Sequence, residues 1–246
     1  MRPLKLLHTS DVHLESDSVG AGPNGELMRR RLRGAFSRVI SIANERDAGL
    51  LLIVGDLFDS SRIADEALDF ALGEIGRARM EVVMVPGNHD AHDDHSIYAA
   101  LAAARLPGNL HLILEPEGRA IDFPELAAHI WGRALVDHSP SYRPLAGMPA
   151  PAPERWNIAL AHGLFTEDEG SERSSQITAA EIAASAYHYV ALGHVHIFSD
   201  VSQATTRAAY CGTPAPLYSN AQAGSAAWVS FTPGAAPHLE QIVITV

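Results

Sequence analysis

The feature that most constrains the fold is a short apolar run that recurs five times and stops each time at a side chain able to bind a metal ion. The clearest example spans residues 82–90, where VVMV is followed by a Pro-Gly pair and then by Asn88, His89 and Asp90. The other four runs end at these side chains: Asp11 and His13, then Asp56, then His162, and finally His194 and His196. Runs of this kind are typical of buried strands. Because ligands bind outside the carboxyl ends of the strands in an open α/β sheet, these side chains are predicted to form one site.

The segments between the first runs have the periodicity of helices. The runs themselves cover residues 4–9, 50–54 and 81–85, and helices are predicted over 27–46, 64–78 and 96–105. Apolar strands joined through helices indicate parallel strands that are covered on both faces. After residue 109 the chain predicts further short strands, one short helix near 178–185, and a loop rich in Pro and small residues over 139–156.

The length and the cysteine content indicate an ordinary globular protein of a reducing compartment. A chain of 246 residues can bury a sizeable core. The Pro-rich loop is a poor domain boundary, because polar motifs follow it, and we expect one domain over residues 1–246. Cys211 is the single cysteine, so the chain forms no internal disulfide. The N-terminus lacks the features of a signal peptide and no apolar segment approaches the ~20 residues that span a bilayer, so a cytoplasmic protein without membrane contact is predicted.

The charge of the chain argues against a strongly basic nucleic-acid-binding protein. The formal net charge is −11, whereas basic side chains that neutralise phosphates supply much of the affinity for DNA. One local basic cluster consists of Arg29, Arg30, Arg31, Arg33 and Arg38. A solvated helix face explains this cluster, and contact of Arg29, Arg30, Arg31 and Arg33 with DNA phosphates is the alternative.

The types of side chain at the ends of the runs specify a metal site. Carboxylates, imidazoles and one amide oxygen, without a thiolate, suit a divalent ion such as Mn, with Fe or Zn as alternatives. Seven of these residues are candidate ligands, namely Asp11, His13, Asp56, Asn88, His162, His194 and His196. They are too many for one ion, but they divide over two ions if Asp56 bridges them. Two ions ~3.5–4 Å apart form a clamp for in-line displacement at phosphorus. No G-x-x-x-x-G-K-[ST] motif occurs, so ATP hydrolysis is not predicted for this chain.

The order of the motifs resembles that of the calcineurin-like metallophosphoesterase superfamily, from residue 4 to about residue 216. The motifs that carry the resemblance are Asp11-x-His13, Gly55-Asp56, Gly87-Asn88-His89-Asp90, His162-Gly163 and Gly193-His194-x-His196. The resemblance implies a four-layer α/β/β/α sandwich with two central mixed β-sheets. It implies two bound ions, one held by Asp11, His13, Asp56 and His196, and the other by Asp56, Asn88, His162 and His194. It also implies that His89 protonates the leaving oxygen or steadies the phosphoryl group, and that Asp90 orients the His89 ring.

The residues that flank the motifs are similar to those of SbcD-type DNA-repair exonuclease subunits. The flanking segments are HTSDVHL, VGDLFD, VPGNHD, ALGHVH and YCGTPAPL. This similarity implies DNA as the substrate and an ATPase as a partner subunit. Two departures point away from DNA. Glu15 stands where a glycine commonly follows D-x-H-L in the exonucleases, and we expect no separate capping domain after the core sheet.

Three functions therefore stay open on the sequence. The first is a metal-dependent phosphodiesterase of exonuclease type, the second is a phosphodiesterase or phosphatase for a small nucleotide-type substrate, and the third is a non-catalytic interaction scaffold. The full set of ligands argues against the scaffold. Two nearby residues have two interpretations each. Asp59 either supports the site or starts a helix, and His92 either contacts the substrate or is a solvated loop histidine.

Overall fold

In the computed structural model of the protein, the residues described are 1–16, 22–60, 63–93, 96–98, 101, 106–136, 139–167, 174–216 and 223–246. Their strands, in chain order, are β1 (Leu4–Thr9), β2 (Leu50–Val54), β3 (Glu81–Val85), β4 (Leu110–Leu112), β5 (Arg119–Phe123), β6 (Ala128–Gly132), β7 (Trp156–His162), β8 (Leu164–Thr166), β9 (Gln176–Thr178), β10 (Tyr189–Gly193), β11 (Phe198–Asp200), β12 (Arg207–Cys211), β13 (Ala223–Phe231) and β14 (His238–Thr245). The helices whose bounds fall within these ranges are α1 (Pro23–Glu45), α2 (Asp65–Arg77) and α3 (Ala179–Ser185), with a 3-10 turn at Pro124–Leu126.

Two six-stranded mixed sheets form the centre of the fold. The first has the order β14-β13-β1-β2-β3-β4, in which β1 to β4 are parallel and β13 is antiparallel to both of its neighbours. The second has the order β11-β12-β10-β7-β6-β5, with parallel inner strands and antiparallel edge strands. The sheets pack face to face, since Leu52 and Val83 of the first share one buried cluster with Ile158 and Leu160 of the second. Each inner strand is apolar along its whole length because both of its faces are covered.

Helices cover the outer face of each sheet. Leu32 and Phe36 of α1 pack with Leu51 of β2 on the first sheet, and Ile182 of α3 packs with Val190 of β10 on the second. The resulting order of layers, helix–sheet–sheet–helix, confirms the predicted α/β/β/α sandwich. Within the described ranges, no helix combines the length and the apolar character that a membrane span requires.

Most of the predicted elements are confirmed, and three short strands are new. The runs at 4–9, 50–54 and 81–85 form strands with those bounds. In the helix predicted over 96–105, residues 97, 98 and 101 are helical, whereas 94–95, 99–100 and 102–105 lie outside the described residues. Strands β8, β9 and β11 were not predicted. Each has three residues, which is too short to show a period of two.

Candidate metal centre

The predicted site residues meet at one end of the two sheets, where β1, β2 and β3 of the first sheet and β7 and β10 of the second end. Four of these residues have a left-handed backbone, with φ of 53° at Asp11, 52° at His13, 52° at Asp56 and 100° at His194. Few residues other than glycine adopt this conformation, and such outliers cluster at functional sites. Main-chain hydrogen bonds hold the turns together. The N–H of Asp11 donates to the Gly55 oxygen at 3.1 Å and that of His13 to the Asp56 oxygen at 3.0 Å.

Asp11, His13 and His196 form the first group able to hold an ion. Their candidate ligand atoms all lie within 4.8 Å of one another. The Nε2 atoms of His13 and His196 are 3.2 Å apart, and the His196 Nε2 lies 3.4 Å from Oδ1 of Asp11. The Nδ1 of His13 is 2.9 Å from Oδ1 of Asp59. A neutral His13 ring with its proton on Nδ1 would present the lone pair of Nε2 to an ion held together with Asp11 and His196.

The second group is formed by His162, Asn88, Asp56 and His194. The Nδ1 of the buried His162 donates to the Val54 carbonyl oxygen at 2.9 Å, so a neutral ring has its lone pair on Nε2. That Nε2 faces two acceptors, Oδ1 of Asn88 at 3.0 Å and Oδ2 of Asp56 at 3.4 Å. The same Asn88 oxygen lies 2.8 Å from Nδ1 of His194. Several potential ligand atoms thus lie close together, and a cation bound among them would contact His162, Asn88 and Asp56 at once.

Asp56 lies between the two groups. Its carboxylate is within 4.8 Å of candidate ligand atoms of both Asp11 and His162. The neighbouring glycine is needed for close packing, because a Cβ at Gly87 would overlap the Asp56 carboxylate and backbone nitrogen. The residues present therefore fit two divalent ions, and the position of Asp56 is compatible with a shared ligand.

The charges of the buried groups favour a cation. Burial by itself raises the pKa of Asp56, but the adjacent His162 lowers it well below its usual range. Burial likewise opposes ionisation of Asp11, and contact with His196 is the main cause that lowers its pKa. Burial lowers the pKa of His162, but the Asp56 carboxylate outweighs burial and raises it to about 9, so an ion that binds to Nε2 would displace the proton held there. Both carboxylates are consequently ionised at neutral pH, at the place where the imidazoles present their nitrogens.

His89 lies at the edge of this centre and is held by Asp59. The His89 side chain is 40% exposed, so a bound substrate could reach it. Its Nδ1 lies 3.1 Å from the Asp59 carbonyl oxygen and 3.4 Å from the Asp59 carboxylate. The contact with Asp59 raises the pKa of His89 to about 9. Asp59 also contacts His13 and accepts a hydrogen bond from Ser16 at 2.7 Å. Of its two interpretations, support of the site is the one that the structure favours.

The expectation that Asp90 orients the His89 ring is wrong. The Asp90 carboxylate is fully buried and accepts hydrogen bonds from the main-chain N–H groups of Asp56, Gly87 and Phe58. The carboxylate beside the His89 ring belongs to Asp59 instead. Asp90 and His89 are consecutive residues of a tight turn, and their side chains leave it in different directions. In the sequence, the position of Asp59 three residues after Asp56 in the segment GDLFD was the indication that Asp59 could support the site.

His92 is tied into its own segment. Its main-chain N–H donates to the Leu135 oxygen at 2.9 Å, and its Nδ1 lies 3.2 Å from the Ser96 hydroxyl. Its ring is half-buried. These contacts do not involve the metal centre, and the assignment of His92 to substrate binding stays a prediction.

Comparison with known proteins agrees with this geometry. A curated relative is the DNA double-strand break repair protein Mre11 of Methanopyrus kandleri, which is 25% identical over 229 residues. The match covers 87% of this chain and 49% of the relative, so the chain spans about half the length of that protein. Among solved structures, a dimetal phosphatase from Danio rerio matches with a TM-score of 0.63 at 10% identity, over 98% of each chain. An archaeal phosphodiesterase matches with a TM-score of 0.51 at 12% identity, over 98% of this chain and 100% of the other.

The two structural matches concern the fold alone, whereas the family match rests on sequence. Residues 4–198 match the calcineurin-like phosphoesterase family, and this range contains every predicted metal ligand. Members of this family are metal-dependent hydrolases that act on phosphate esters with two divalent ions. The chain therefore belongs to the calcineurin-like phosphoesterase family.

Proposed function

We propose that the protein is a two-metal phosphodiesterase that acts on DNA in the manner of an exonuclease. The observation that carries the two-metal assignment is that the buried Asp56 carboxylate lies between two groups of potential ligands, within 4.8 Å of ligand atoms of both Asp11 and His162. Asp11, His13, Asp56 and His196 would hold one ion, and Asp56, Asn88, His162 and His194 the other. Ions held there supply Lewis acidity at phosphorus and lower the pKa of water. Mn²⁺ is the proposed metal, because the donors are oxygen and imidazole nitrogen.

A side chain of the protein, His89, would protonate the leaving oxygen. The Asp59 carbonyl can only accept, so the Nδ1 of His89 holds its proton against that oxygen, at 3.1 Å. The Nε2 of His89 is then the nitrogen that carries a proton to the departing oxygen. The main-chain N–H of His89 donates to Oδ1 of Asp56 at 2.8 Å, which fixes the acid relative to the shared ligand. A group held in this way is already placed for general acid catalysis.

The likeness to Mre11 supports DNA as the substrate, and the arginine cluster supports a small nucleotide-type phosphodiester instead. Arg30 donates to Glu26 at 2.8 Å. Arg33 donates to Glu15 and to Glu66, each at 2.8 Å. These ion pairs offset the positive charge that would contact DNA phosphates. A small diester needs only the metal centre and is the second candidate.

The exonuclease proposal also includes an ATPase partner subunit, a cytoplasmic location and a single domain over residues 1–246.

The experiment for this proposal is a substrate panel in Mn²⁺, with single- and double-stranded DNA, a cyclic nucleotide, a phosphomonoester and a generic phosphodiester. We expect DNA to be hydrolysed and its kcat/KM to fall steeply with salt, since each phosphate contact contributes roughly −0.9 to the log–log slope on duplex DNA. The small diester should respond much less. If a DNA phosphate replaces Glu26 as the partner of Arg30, Arg30→Gln should make the DNA slope shallower by about one contact, whereas Arg38→Gln, farther along α1, serves as the matched control.

Equal salt slopes for DNA and the small diester, unchanged by Arg30→Gln, would contradict the DNA assignment and favour the small substrate. Hydrolysis of the phosphomonoester alone would contradict the phosphodiesterase assignment as a whole.

A further inference from the structure

We propose that Asp90 is a positioning residue, whose buried carboxylate fixes the turn that carries the shared metal ligand Asp56. The inference rests on the proposed function, because it assumes that Asp56 serves two ions. It assigns to Asp90 no contact with the substrate and no proton transfer.

The contacts of Asp90 join the two loops that supply the centre of the site. Its Oδ1 accepts from the N–H of Gly87 at 2.7 Å and from the N–H of Asp56 at 3.1 Å, and its Oδ2 accepts from the N–H of Phe58 at 3.1 Å. Asp56 and Phe58 follow β2, whereas Gly87 and Asp90 follow β3. One carboxylate therefore binds main-chain donors of both loops, at a depth where the residue is 0% exposed.

The connection is reciprocal. While Asp90 accepts from the N–H of Asp56, the Oδ1 of Asp56 accepts from the N–H of His89, at 2.8 Å. Each aspartate thus binds the loop of the other. The turn at Asp56 has a φ of 52°, and a conformation of this kind persists only where the surroundings fix it. The two N–H groups that Asp90 holds, at Asp56 and Phe58, lie on this turn.

Asp90 is not available for the chemistry itself. Both of its oxygens are bound by main-chain amides, and no part of the residue reaches solvent. Tyr98 lies behind it, and first burial and then the nearby Asp90 raise the pKa of the Tyr98 hydroxyl well above its usual value. Such surroundings suit a group that orients a metal ligand. Replacing a residue that hydrogen-bonds to a metal ligand typically lowers metal affinity or activity by about 10–100-fold.

The test is Asp90→Asn, which keeps the shape but places an NH₂ group against a main-chain N–H that needs an acceptor. We expect the Mn²⁺ Kd, measured by calorimetric titration, to rise about 10–100-fold. We expect kcat to fall by the same factor on alkyl and aryl phosphodiesters, and saturating Mn²⁺ to restore it. Asp122→Asn, an identical change at the far edge of the second sheet, is the matched control and should leave both quantities unchanged.

An unchanged Kd and kcat in Asp90→Asn would overturn the inference, and so would a loss that depends on the leaving group and resists saturating Mn²⁺. If this variant does not fold, Asp90→Glu decides, because it keeps the charge but moves the carboxylate away from the N–H groups of Asp56 and Phe58; a rise in Kd supports the inference and an unchanged Kd contradicts it. The Kd for Mn²⁺ is measured without substrate, so this measurement does not depend on whether the protein cleaves a phosphodiester. A wild-type protein that binds two ions but cleaves no phosphodiester would contradict the proposed function and still allow Asp90 to be tested.

Discussion

Replacement of Asp56 by alanine is expected to leave fewer than two metal ions per chain and to lower kcat by at least about 10³-fold. The reason is that one carboxylate serves both ions, and the ions contribute several kcal/mol of charge stabilisation at phosphorus, with about 1.4 kcal/mol for each factor of ten. The measurement is elemental analysis after dialysis against Mn²⁺, together with the rate on a generic phosphodiester. Near-UV circular dichroism in EDTA shows whether the apoprotein keeps its fold.

The matched control for Asp56→Ala is Asp122→Ala. Asp122 is on β5 and pairs with His129 at 3.0 Å, and it is not among the proposed ligands. The control should keep two ions and the wild-type rate. Full metal content in Asp56→Ala would show that Asp56 is not a shared ligand.

The second large effect is expected at His89, and it should depend on the leaving group. His89→Asn should keep both metals and lose about 10²–10⁴-fold in kcat on DNA or an alkyl phosphodiester, which is the usual contribution of general acid catalysis. It should keep much of its rate on an aryl phosphodiester with a nitrophenolate leaving group, because an anion that is stable in water needs no proton. The measurement is kcat on the two classes of diester, with metal content determined in parallel.

His238→Asn on the exposed edge strand β14 is the control, and it should behave as the wild type on both diesters. Equal losses on both diesters with metals retained would indicate that His89 stabilises the phosphoryl group. Loss of metal would make His89 a ligand and contradict its role as the acid.

The candidate ligands named from the sequence lie together in the structure, whereas several contacts between side chains at the site could not be predicted. The apolar runs predicted β1, β2 and β3 with the bounds that the structure has, because strands covered on both faces carry few polar residues. The side chain at the end of each run was enough to name Asp11, His162 and the other candidate ligands. The division of these strands between two facing sheets was implied by the family resemblance. The apolar runs alone could not show it, because the sequence of a buried strand does not indicate which sheet the strand joins.

The contacts of Asp59 and Asp90 could not be predicted, because the backbone at the ends of the strands decides where side chains point. Left-handed turns at Asp11, His13 and Asp56 have no local sequence signal, since non-glycine residues rarely adopt them. The same limit applies to Arg33. Its partner Glu66 is 33 residues away in sequence, and the ion pair exists only because α1 and α2 pack side by side.

The central claim is that the chain holds two divalent ions that share Asp56. The most direct measurement is the electron paramagnetic resonance spectrum of the wild-type protein during titration with Mn²⁺, combined with elemental analysis at saturation. We predict two ions per chain and, once both are bound, the signal of an exchange-coupled pair, because ions bridged by one carboxylate lie roughly 3.5–4 Å apart. A single ion per chain at saturation, or two ions that keep the spectrum of isolated Mn²⁺, would contradict the account.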